Sequence, residues 1–544
     1  MSACGKNGAM RAHLIFPRQT SPTCCADISL RSHGFRLLLS IFVLLSSGCQ
    51  TNNLWPFNQN FADEVQKPIE QAIAQIAQFY VDDVDAEKIV LNGLVYLQKT
   101  DPDLSILYEG QTVKLTMNDE VVAERAAPHA RSATRWSQTA SILLRKAQET
   151  SSKVASLSNE QLLNGFLNTS LSALDPFSRY YGPNDAVDII AALEGKDGVG
   201  LKLSAIDGLL KVTAIEADSP AERAGLIPGS EVIAIDEIPA PELSLHEARA
   251  KLIGTKGSIL NIRIRRPGVE RAEDFELVRA RVIPDSVTFN DDPYFPVVRI
   301  SIFNAKTSSQ FRTMLRKRMD IQARKWRGLI LDLRGNAGGL LIQAIEVADL
   351  FMDRGEILSE SGRHFRSRRQ YRALRGDVLN GLPIVVLIDG ATASSAEILA
   401  AALQDNRRAV VVGSISYGKG AVQVFQDLPN GGKLDLTWAY YRTAGKYMIN
   451  GYGVLPTICT AGFDNGIAAV LVTLRKQASQ TQKAFNKLRR MQYDSSAKIS
   501  SFRRSCSWQA DDTRDLDLEA AVTLLNDKKL FDDALALPFS ADGS

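Results

Sequence analysis

Residues 391–423 constrain the fold of this chain more than any other stretch, with the sequence ATASSAEILAAALQDNRRAVVVGSISYGKGAVQ. An apolar pattern with helical spacing, which ends at a Gln-Asp-Asn tripeptide, predicts a helix that begins just after Ser394. The continuous apolar run at residues 409–413 is typical of a strand that is buried on both faces of a parallel sheet. A turn that holds Lys419 between two glycines follows. One helix–strand return can therefore place Lys419 beside Ser394.

Ser394 and Lys419 are candidates for a nucleophile and its base. A serine just before a helix faces free backbone N–H groups and the positive end of the helix dipole, which stabilise an oxyanion. Serine–lysine pairs are a known variant of nucleophilic catalysis. The lysine pKa must then fall from about 10.4 toward roughly 7, which requires burial. The alternative is that Ser394 only caps the helix and Lys419 is a surface turn residue.

The same stretch resembles the active-site region of the C-terminal processing peptidases, also called tail-specific proteases. The shared pattern is a Ser-x-x-Glu turn, a helix that ends in Gln-Asp, and an aromatic-Gly-Lys-Gly-x-x-Gln turn. The resemblance implies that Ser394 is the nucleophile, Lys419 the general base and Gln423 the residue that orients the lysine. Ser395 would supply its backbone N–H to the oxyanion. The implied mechanism proceeds through an acyl-enzyme and uses no cofactor and no metal.

Two further segments support this resemblance. Residues 328–339, GLILDLRGNAGG, predict a buried strand and match the family's Asp-Leu-Arg-x-Asn-x-Gly-Gly signature. Glycine lets the backbone approach a substrate closely, so Gly338 or Gly339 is implied to give the second oxyanion N–H; the alternative is a plain strand–helix connection. Residues 174–181, LDPFSRYY, are close to the family's Leu-Asp-Pro-His-Ser-x-Tyr stretch, with Phe177 in place of the histidine.

Residues 195–284 predict a small β-rich module. Short strand patterns alternate with Gly, Pro and Asp turns, and one helical segment interrupts them at residues 243–252. The segments GVGL, SPAERAGL and PGSEVI resemble a PDZ domain, which binds a peptide as an added strand and holds its carboxylate in a glycine-rich loop. The alternative is a PDZ-like module that packs on the protease without binding ligands. The implied peptide-binding loop consists of Gly198, Val199, Gly200 and Leu201.

The first 49 residues predict a targeting segment. Arg31 precedes an apolar stretch at residues 35–45 that is too short for a comfortable membrane span. Residues 45–49, LSSGC, resemble a bacterial lipobox, which implies that Cys49 is lipidated; ordinary cleavage and an uncleaved anchor are the alternatives. We therefore expect the protein in the bacterial cell envelope, on the periplasmic side and anchored to a membrane by lipid.

Cys459 and Cys506 are the only cysteines after Cys49. Two cysteines alone in the body of an exported chain favour a disulfide that closes the C-terminal region onto the core. The alternative is two separate buried thiols.

Composition and motifs argue against other functions. The formal net charge is +3, and residues 1–48 hold five basic side chains and one acidic side chain, a net of +4. The remainder is near 3 − 4 = −1, which gives no indication of a nucleic-acid partner. There is no Gly-x-Ser-x-Gly elbow and no His-Glu-x-x-His helix. The histidines outside the targeting segment lie in no catalytic motif: His129, His246 and His364.

These features together predict an α/β multidomain protein. Its expected parts are a signal peptide (1–49), a tether and helical region (50–194), a PDZ domain (195–284), an α/β serine–lysine protease core (285–457) and a helical C-terminal extension (458–544). The arginine-rich residues 362–376 predict a solvated hairpin in preference to a patch for anionic lipid.

The predicted function is that of an exported serine-type endopeptidase. Its expected partners are protein or peptide substrates with free C-termini, an adaptor lipoprotein and the membrane. The main alternative is a catalytically silent periplasmic scaffold whose PDZ module recruits protein C-termini. Intact Ser394, Lys419 and Gln423 argue against that alternative.

Overall fold

A computed structural model describes residues 59–322, 325–374, 376–462, 467–490, 496–506 and 515–539. The predicted targeting segment and Cys49 lie outside these ranges. Within them, none of the helices combines the length and apolar character that a membrane span requires.

The N-terminal region is helical, as predicted, and its apolar cluster around Ile73, Trp136 and Phe166 also includes Leu434 and Leu436 of the protease core. A three-stranded antiparallel sheet separates its third and fourth helices, and the alternating residues 112–117 form the middle strand of that sheet. A short π-helical segment, Ala62–Gln66, joins the first two helices. The elements are α1 (Gln59–Phe61), α2 (Lys67–Phe79), α3 (Ala86–Thr100), β1 (Leu104–Glu109), β2 (Thr112–Met117), β3 (Glu120–Ala126), α4 (Ala133–Thr150), α5 (Ser152–Ala155), α6 (Asn159–Ser172), β4 (Arg179–Tyr181) and α7 (Pro183–Glu194).

The β-rich module has a separate apolar core, which includes Val199, Leu203 and Ile262. Its elements are β5 (Lys196–Gly198), β6 (Leu201–Ile206), β7 (Leu209–Ile215), α8 (Pro220–Arg223), β8 (Glu231–Ile235), β9 (Ile238–Pro239), α9 (Leu245–Leu252), β10 (Ile259–Arg265), β11 (Ala272–Val278) and β12 (Ala280–Val282). The strand order is β11-β10-β8-β7-β6, so β6 lies at an edge of the sheet. β5 pairs with β12 where the chain enters and leaves the module.

The core contains two sheets. Its elements are β13 (Val287–Asn290), β14 (Val297–Ile300), α10 (Thr307–Gln322), β15 (Leu329–Asp332), α11 (Leu341–Asp349), β16 (Glu356–Ser361), β17 (Arg369–Arg372), β18 (Ile384–Ile388), α12 (Ser395–Asp405), β19 (Val410–Gly413), β20 (Ala421–Asp427), β21 (Lys433–Thr443) and β22 (Ile458–Cys459). The first sheet has the order β13-β14-β15-β18-β19-β22 and is parallel from β14 to β22. The second is antiparallel, with the order β17-β16-β21-β20, and β4 adds to β21.

Helices cover both faces of the first sheet, which explains why its strands are continuously apolar. The C-terminal helices are α13 (Ile467–Arg490), α14 (Ser496–Arg503), α15 (Leu516–Asn526) and α16 (Lys528–Ala536). α15 and α16 pack on one face, where Leu524 and Phe531 share an apolar cluster with Val385 and Val410. α10, α11 and α12 contribute to the core on the other face. The C-terminal helices are therefore a layer of the core.

A disulfide joins Cys459 to Cys506, as expected from their isolation in the sequence. Cys459 ends β22, which extends the parallel sheet past the predicted core boundary at residue 457. In the arginine-rich segment, β16 and β17 form an antiparallel pair at the sheet edge. Arg363 donates from this segment to the backbone oxygens of Ala77 and Tyr80, which ties the core to α2.

Candidate active site

Three turns meet where the adjacent parallel strands β15, β18 and β19 end. Hydrogen bonds join them directly, from Ala393 N to Asn336 O (2.9 Å) and from Tyr417 N to Thr392 O (2.9 Å). The carboxyl ends of parallel strands are the usual place for a site in an open α/β sheet. A cavity of about 410 Å³ opens there. It is lined by every residue that the sequence assigned to this site: Ser394, Ser395, Lys419, Gln423, Gly338 and Gly339.

Ser394 occupies the N-cap position of α12 with a φ of 54°, a value that non-glycine residues rarely adopt. Such strained positions concentrate at functional sites. Its side chain is partly exposed to the cavity. The neighbouring turn must approach closely, because a Cβ on Gly338 would lie 2.8 Å from the Cβ of Ser394 and 2.9 Å from the oxygen of Ala393. A glycine is therefore required at position 338.

Glu397 is a buried carboxylate that links the serine turn to the lysine turn. Its Oε2 accepts hydrogen bonds from the backbone N–H groups of Ser394 and Lys419, both at 2.8 Å. Its Oε1 accepts from Gly418 N (2.7 Å) and from the hydroxyl of Ser416. Burial raises the pKa of Glu397, and these hydrogen bonds act in the opposite direction. The Ser-x-x-Glu pattern contained this residue, but the linking role is visible only in three dimensions.

Lys419 projects into a poorly solvated part of the cavity. Its Nζ lies 5.7 Å from the ring centre of Phe177, and its backbone oxygen accepts from the Tyr441 hydroxyl at 2.9 Å. Burial lowers the pKa of Lys419, while the carboxylate of Asp435 opposes that shift. This is the direction that a lysine base requires.

Lys419 and Ser394 form no hydrogen bond with each other among the described residues, although both line the cavity. Catalytic hydrogen bonds are often long in ligand-free structures and shorten when substrate binds.

Among the described residues, no hydrogen bond joins Gln423 to Lys419, the residue that the resemblance implied it would orient. Its Nε2 donates to the backbone oxygen of Phe177 at 2.7 Å. β4 pairs with the edge of β21 opposite β20, and the Gln423 side chain reaches across β21 to that oxygen. Asp175 fixes this loop by accepting from Phe177 N (2.7 Å) and Ser178 N (2.8 Å). Gln423 therefore contacts the loop that carries Phe177, whose ring centre lies 5.7 Å from Lys419 Nζ.

Hydrogen bonds in the structure distinguish the backbone N–H groups that are candidates to donate to the oxyanion. The hydroxyl of Ser395 donates to Gly339 O at 2.8 Å, so this side chain fixes the glycine turn. As the first residue of α12, Ser395 has no partner within the helix for its N–H. The N–H of Gly338 donates to Asn336 Oδ1 at 2.8 Å. The second predicted donor is therefore better assigned to Gly339 than to Gly338.

The cavity walls are mostly apolar, and they contain one acid that the motif comparison missed. Asp435 on β21 is 8% exposed and lines the cavity. Burial raises the pKa of Asp435 to about 6, and the charges of Lys419 and Arg179 oppose the shift. An acidic residue within the apolar strand pattern LDLTWAYY was the sequence signal for it. Apolar lining residues come from several elements: Tyr181, Ile189, Leu193, Ile302, Leu340, Ile398 and Phe425.

In the β-rich module, residues 198–201 connect β5 to β6. Gly200 has a φ of 81°, and a Cβ there would lie 2.2 Å from the Cβ of Ser219. β6 has the free edge on which a peptide strand would add, and α9 packs beside it. Arg249 of α9 donates from Nε (3.1 Å) and Nη2 (2.7 Å) to the oxygen of Leu203 on β6. One carbonyl of this edge is therefore already occupied.

Comparison with known proteins agrees with this architecture. Residues 295–460 match the model of peptidase family S41, and residues 211–266 match that of the PDZ domain. A carboxy-terminal-processing protease of Bartonella bacilliformis is 36% identical over 305 residues, which are 55% of this chain and 70% of that protein. A carboxyl-terminal-processing protease of Synechocystis is 33% identical over 295 residues, which are 53% of this chain and 68% of that protein.

Among solved structures, a photosystem II D1 C-terminal processing protease matches 72% of this chain and 92% of its own, with 24% identity and a TM-score of 0.36. The sequence relatives, two thirds or more of whose length is covered, show the family. The chain belongs to peptidase family S41, among the C-terminal processing proteases, and carries a PDZ domain.

Proposed function

We propose that the chain is an endopeptidase that uses a Ser394–Lys419 dyad and recognises its protein substrates in part through their C-termini. The observation that carries the proposal is the cavity that Ser394 and the partly buried Lys419 share, with Glu397 holding both turns. Family membership supports peptide-bond hydrolysis as the reaction.

In the proposed reaction, neutral Lys419 accepts the proton of the Ser394 hydroxyl as Oγ attacks the substrate carbonyl carbon. The N–H groups of Ser395 and Gly339 stabilise the oxyanion. Collapse of the tetrahedral intermediate breaks the C–N bond, and the Lys419 ammonium gives its proton to the leaving amine. Lys419 then takes a proton from a water molecule as the water oxygen attacks the acyl carbon. The acyl C–Oγ bond breaks, the carboxylic acid leaves, and the Lys419 ammonium returns its proton to Ser394 Oγ. The burial that lowers the pKa of Lys419 supports its role as the base.

The PDZ domain supplies the proposed link to substrate C-termini. An exposed strand edge at β6 and a glycine-containing loop at residues 198–201 suit the binding of a terminal peptide as an added strand. We infer that such a ligand shifts the domain relative to the Ser394 cavity and thereby regulates cleavage. If deletion of residues 195–284 left both the cleavage rate and the response to ligand unchanged, this regulatory role would be wrong.

The decisive experiment incubates an unfolded protein with the wild type and with Ser394→Ala. We expect fragments with the wild type and none with Ser394→Ala. As a control, Ser309→Ala changes an exposed serine of α10 and should cleave at the wild-type rate. Equal survival of the substrate with wild type and Ser394→Ala would favour the silent PDZ scaffold.

We also infer that the protein is exported and lipid-anchored at Cys49 on the periplasmic side of a membrane, where an adaptor lipoprotein meets it. The Cys459–Cys506 disulfide supports an oxidising compartment. Cell fractionation of the wild type and of Cys49→Ala tests this proposal, since loss of the anchor should move the protein from the membrane to the soluble fraction. Identical membrane retention of both would contradict lipidation at Cys49.

A further inference from the structure

We propose that Asp435 selects substrates that carry a cationic side chain next to the scissile bond. This inference rests on the proposed peptidase function and adds the chemical class of its preferred substrates.

The position of Asp435 places its carboxylate at the reaction cavity. The sheet register sets Asp435 opposite Phe425 of β20 and opposite Arg179 of β4, so the three side chains share one face. Asp435 lines the same cavity as Ser394 and Lys419. A substrate side chain that enters beside Ser394 would therefore meet this carboxylate.

The Asp435 side chain is largely buried, lines the cavity, and has no hydrogen-bond or ion-pair partner among the described residues. It is 8% exposed, and among the described residues it makes no hydrogen bond and no ion pair, only longer-range electrostatic interactions. Buried carboxylates are normally paired, because an unpaired buried charge is costly. The raised pKa of Asp435, about 6, has this burial as its largest cause. A cationic ligand would remove the cost.

The charged and titratable groups around Asp435 do not supply that partner. Lys419 must be neutral to act as the base, and Arg179 is largely exposed and makes no ion pair with Asp435 among the described residues. Asp175 has the same sign and accepts hydrogen bonds from its own loop. Tyr181 is a neutral phenol whose pKa is raised by burial and by Asp435. The open position beside Asp435 therefore suits a group from outside the chain.

The rest of the cavity suits the stem of such a side chain. Lysine and arginine bury their methylene stems along apolar surface and keep the charged group at a polar partner. Tyr181, Leu193 and Phe425 line the same cavity as Asp435 with apolar surface. The cavity thus combines apolar walls for the stem with a carboxylate for the charged group.

The test uses peptides that differ only in lysine or norleucine at each position flanking the cleaved bond. Norleucine has the lysine stem without the charge. With the wild type, we expect kcat/KM to be about tenfold higher for lysine at one of these positions, the scale of a close charge pair. In Asp435→Asn the lysine-to-norleucine ratio should fall to about one. Asp427→Asn changes an exposed acid on the same hairpin, paired with Lys433, and should keep the wild-type ratio.

Measuring the lysine-to-norleucine preference as a binding affinity tests this inference independently of the proposed peptidase function. Peptide affinity is measured with Ser394→Ala and with Ser394→Ala/Asp435→Asn, so that no cleavage is needed. The lysine preference should be present in the first protein, absent in the second, and lost as the pH falls below about 6, where Asp435 becomes neutral. If Ser394→Ala cleaved peptides like the wild type, the peptidase mechanism would be wrong, whereas the binding ratio would still test Asp435.

An unchanged lysine-to-norleucine ratio in Asp435→Asn would overturn the inference. One form of that result is informative: if the variant shifts the pH–rate profile equally for both peptides, Asp435 only adjusts the pKa of Lys419 and does not read the substrate.

Discussion

Glu397 holds the serine turn and the lysine turn together. Its carboxylate accepts a hydrogen bond from the backbone N–H of Lys419, which lies 22 positions further along the chain. Glu397→Gln keeps the side-chain size but directs an amide donor at backbone N–H groups that now donate to a carboxylate oxygen. We expect the free energy of unfolding to fall by about 3 kcal/mol, because buried donors lose their acceptor. We expect kcat/KM to fall at least about tenfold, because small misplacements of catalytic groups reduce the rate strongly. Denaturant unfolding and peptide cleavage measure the two effects.

Asp405→Asn is the matched control for this prediction. Asp405 is a partly buried carboxylate at the other end of α12 and accepts from Gly445 N at 2.8 Å. Its loss should destabilise the protein while leaving the activity of the folded fraction near the wild-type value. If both variants lost activity only in proportion to stability, Glu397 would have no positioning role.

The pH dependence of cleavage reports on Lys419. Burial lowers its pKa from the ordinary value, and only the neutral amine can accept the serine proton. We therefore expect kcat/KM to rise with pH and to reach its plateau clearly below pH 10.5, the ordinary value for lysine. The measurement is kcat/KM for a norleucine peptide from pH 5 to about pH 11.5. A rate that still rises steeply above pH 10.5 would contradict the assignment of Lys419 as the base.

Lys419 also makes stability depend on pH, with a defined sign. Because its folded pKa is lower than its unfolded pKa, the unfolded chain binds more protons between the two values, and stability rises with pH through that window. Below the folded pKa, Lys419 is charged in the folded protein, and the full free-energy cost of burying its ammonium group lowers the stability. Lys419→Met should therefore raise the Tm more at pH 6 than at pH 10, in thermal unfolding at both pH values.

At the scale of elements, continuous apolar runs predicted the strands of the parallel sheet well. β15 and β19 lie within the predicted runs, because strands covered on both faces must be apolar throughout. β4 was not predicted, since three residues carry little local signal and its partner β21 is far along the chain. The fold class was thus predictable from local patterns, whereas the second sheet depended on long-range pairing.

The same contrast applies to the site. Ser394 and Lys419 were found from a contiguous motif, because one helix and one strand connect them. The contact of Gln423 with Phe177 depends on β4 reaching β21, so no local pattern could reveal it. For Asp435, the acid within an apolar strand pattern was a local signal, but its place in the cavity is visible only in the structure.

Arg249 gives a testable prediction for the PDZ edge. It occupies the oxygen of Leu203, which an added peptide strand would use as an acceptor. Arg249→Ala should therefore increase the affinity for a C-terminal peptide about fivefold, the equivalent of roughly one hydrogen bond. Fluorescence anisotropy with a labelled peptide measures the change.

Arg263→Ala is the control for Arg249, since Arg263 lies on β10 and pairs with Asp274 away from this edge. Weaker peptide binding by Arg249→Ala, with Arg263→Ala unchanged, would mean that Arg249 contacts the ligand and does not obstruct the edge.

At the scale of the whole molecule, the C-terminal helices and the active-site turns belong to one structure. α15 and α16 complete the second face of the parallel sheet, and Arg334 after β15 pairs with Asp515 at the start of α15 (2.6 Å). The backbone oxygen of Cys506 accepts a hydrogen bond from Ile415 N at 3.0 Å, and Ile415 lies in the segment between β19 and Lys419. The disulfide from Cys506 to Cys459 therefore anchors a segment that supports the lysine turn.

Removal of this disulfide should weaken the whole core. It closes a loop with a sequence separation of 47, for which the chain-entropy model gives about 4 kcal/mol of stabilisation. We expect Cys506→Ser to lower the free energy of unfolding by about that amount, and peptide cleavage to be lost at a lower temperature than in the wild type. Reductant should lower the Tm of the wild type and leave the Cys459→Ser/Cys506→Ser variant unchanged. If reductant left the wild-type Tm unchanged although mass spectrometry showed free thiols, the bond would contribute nothing to the core.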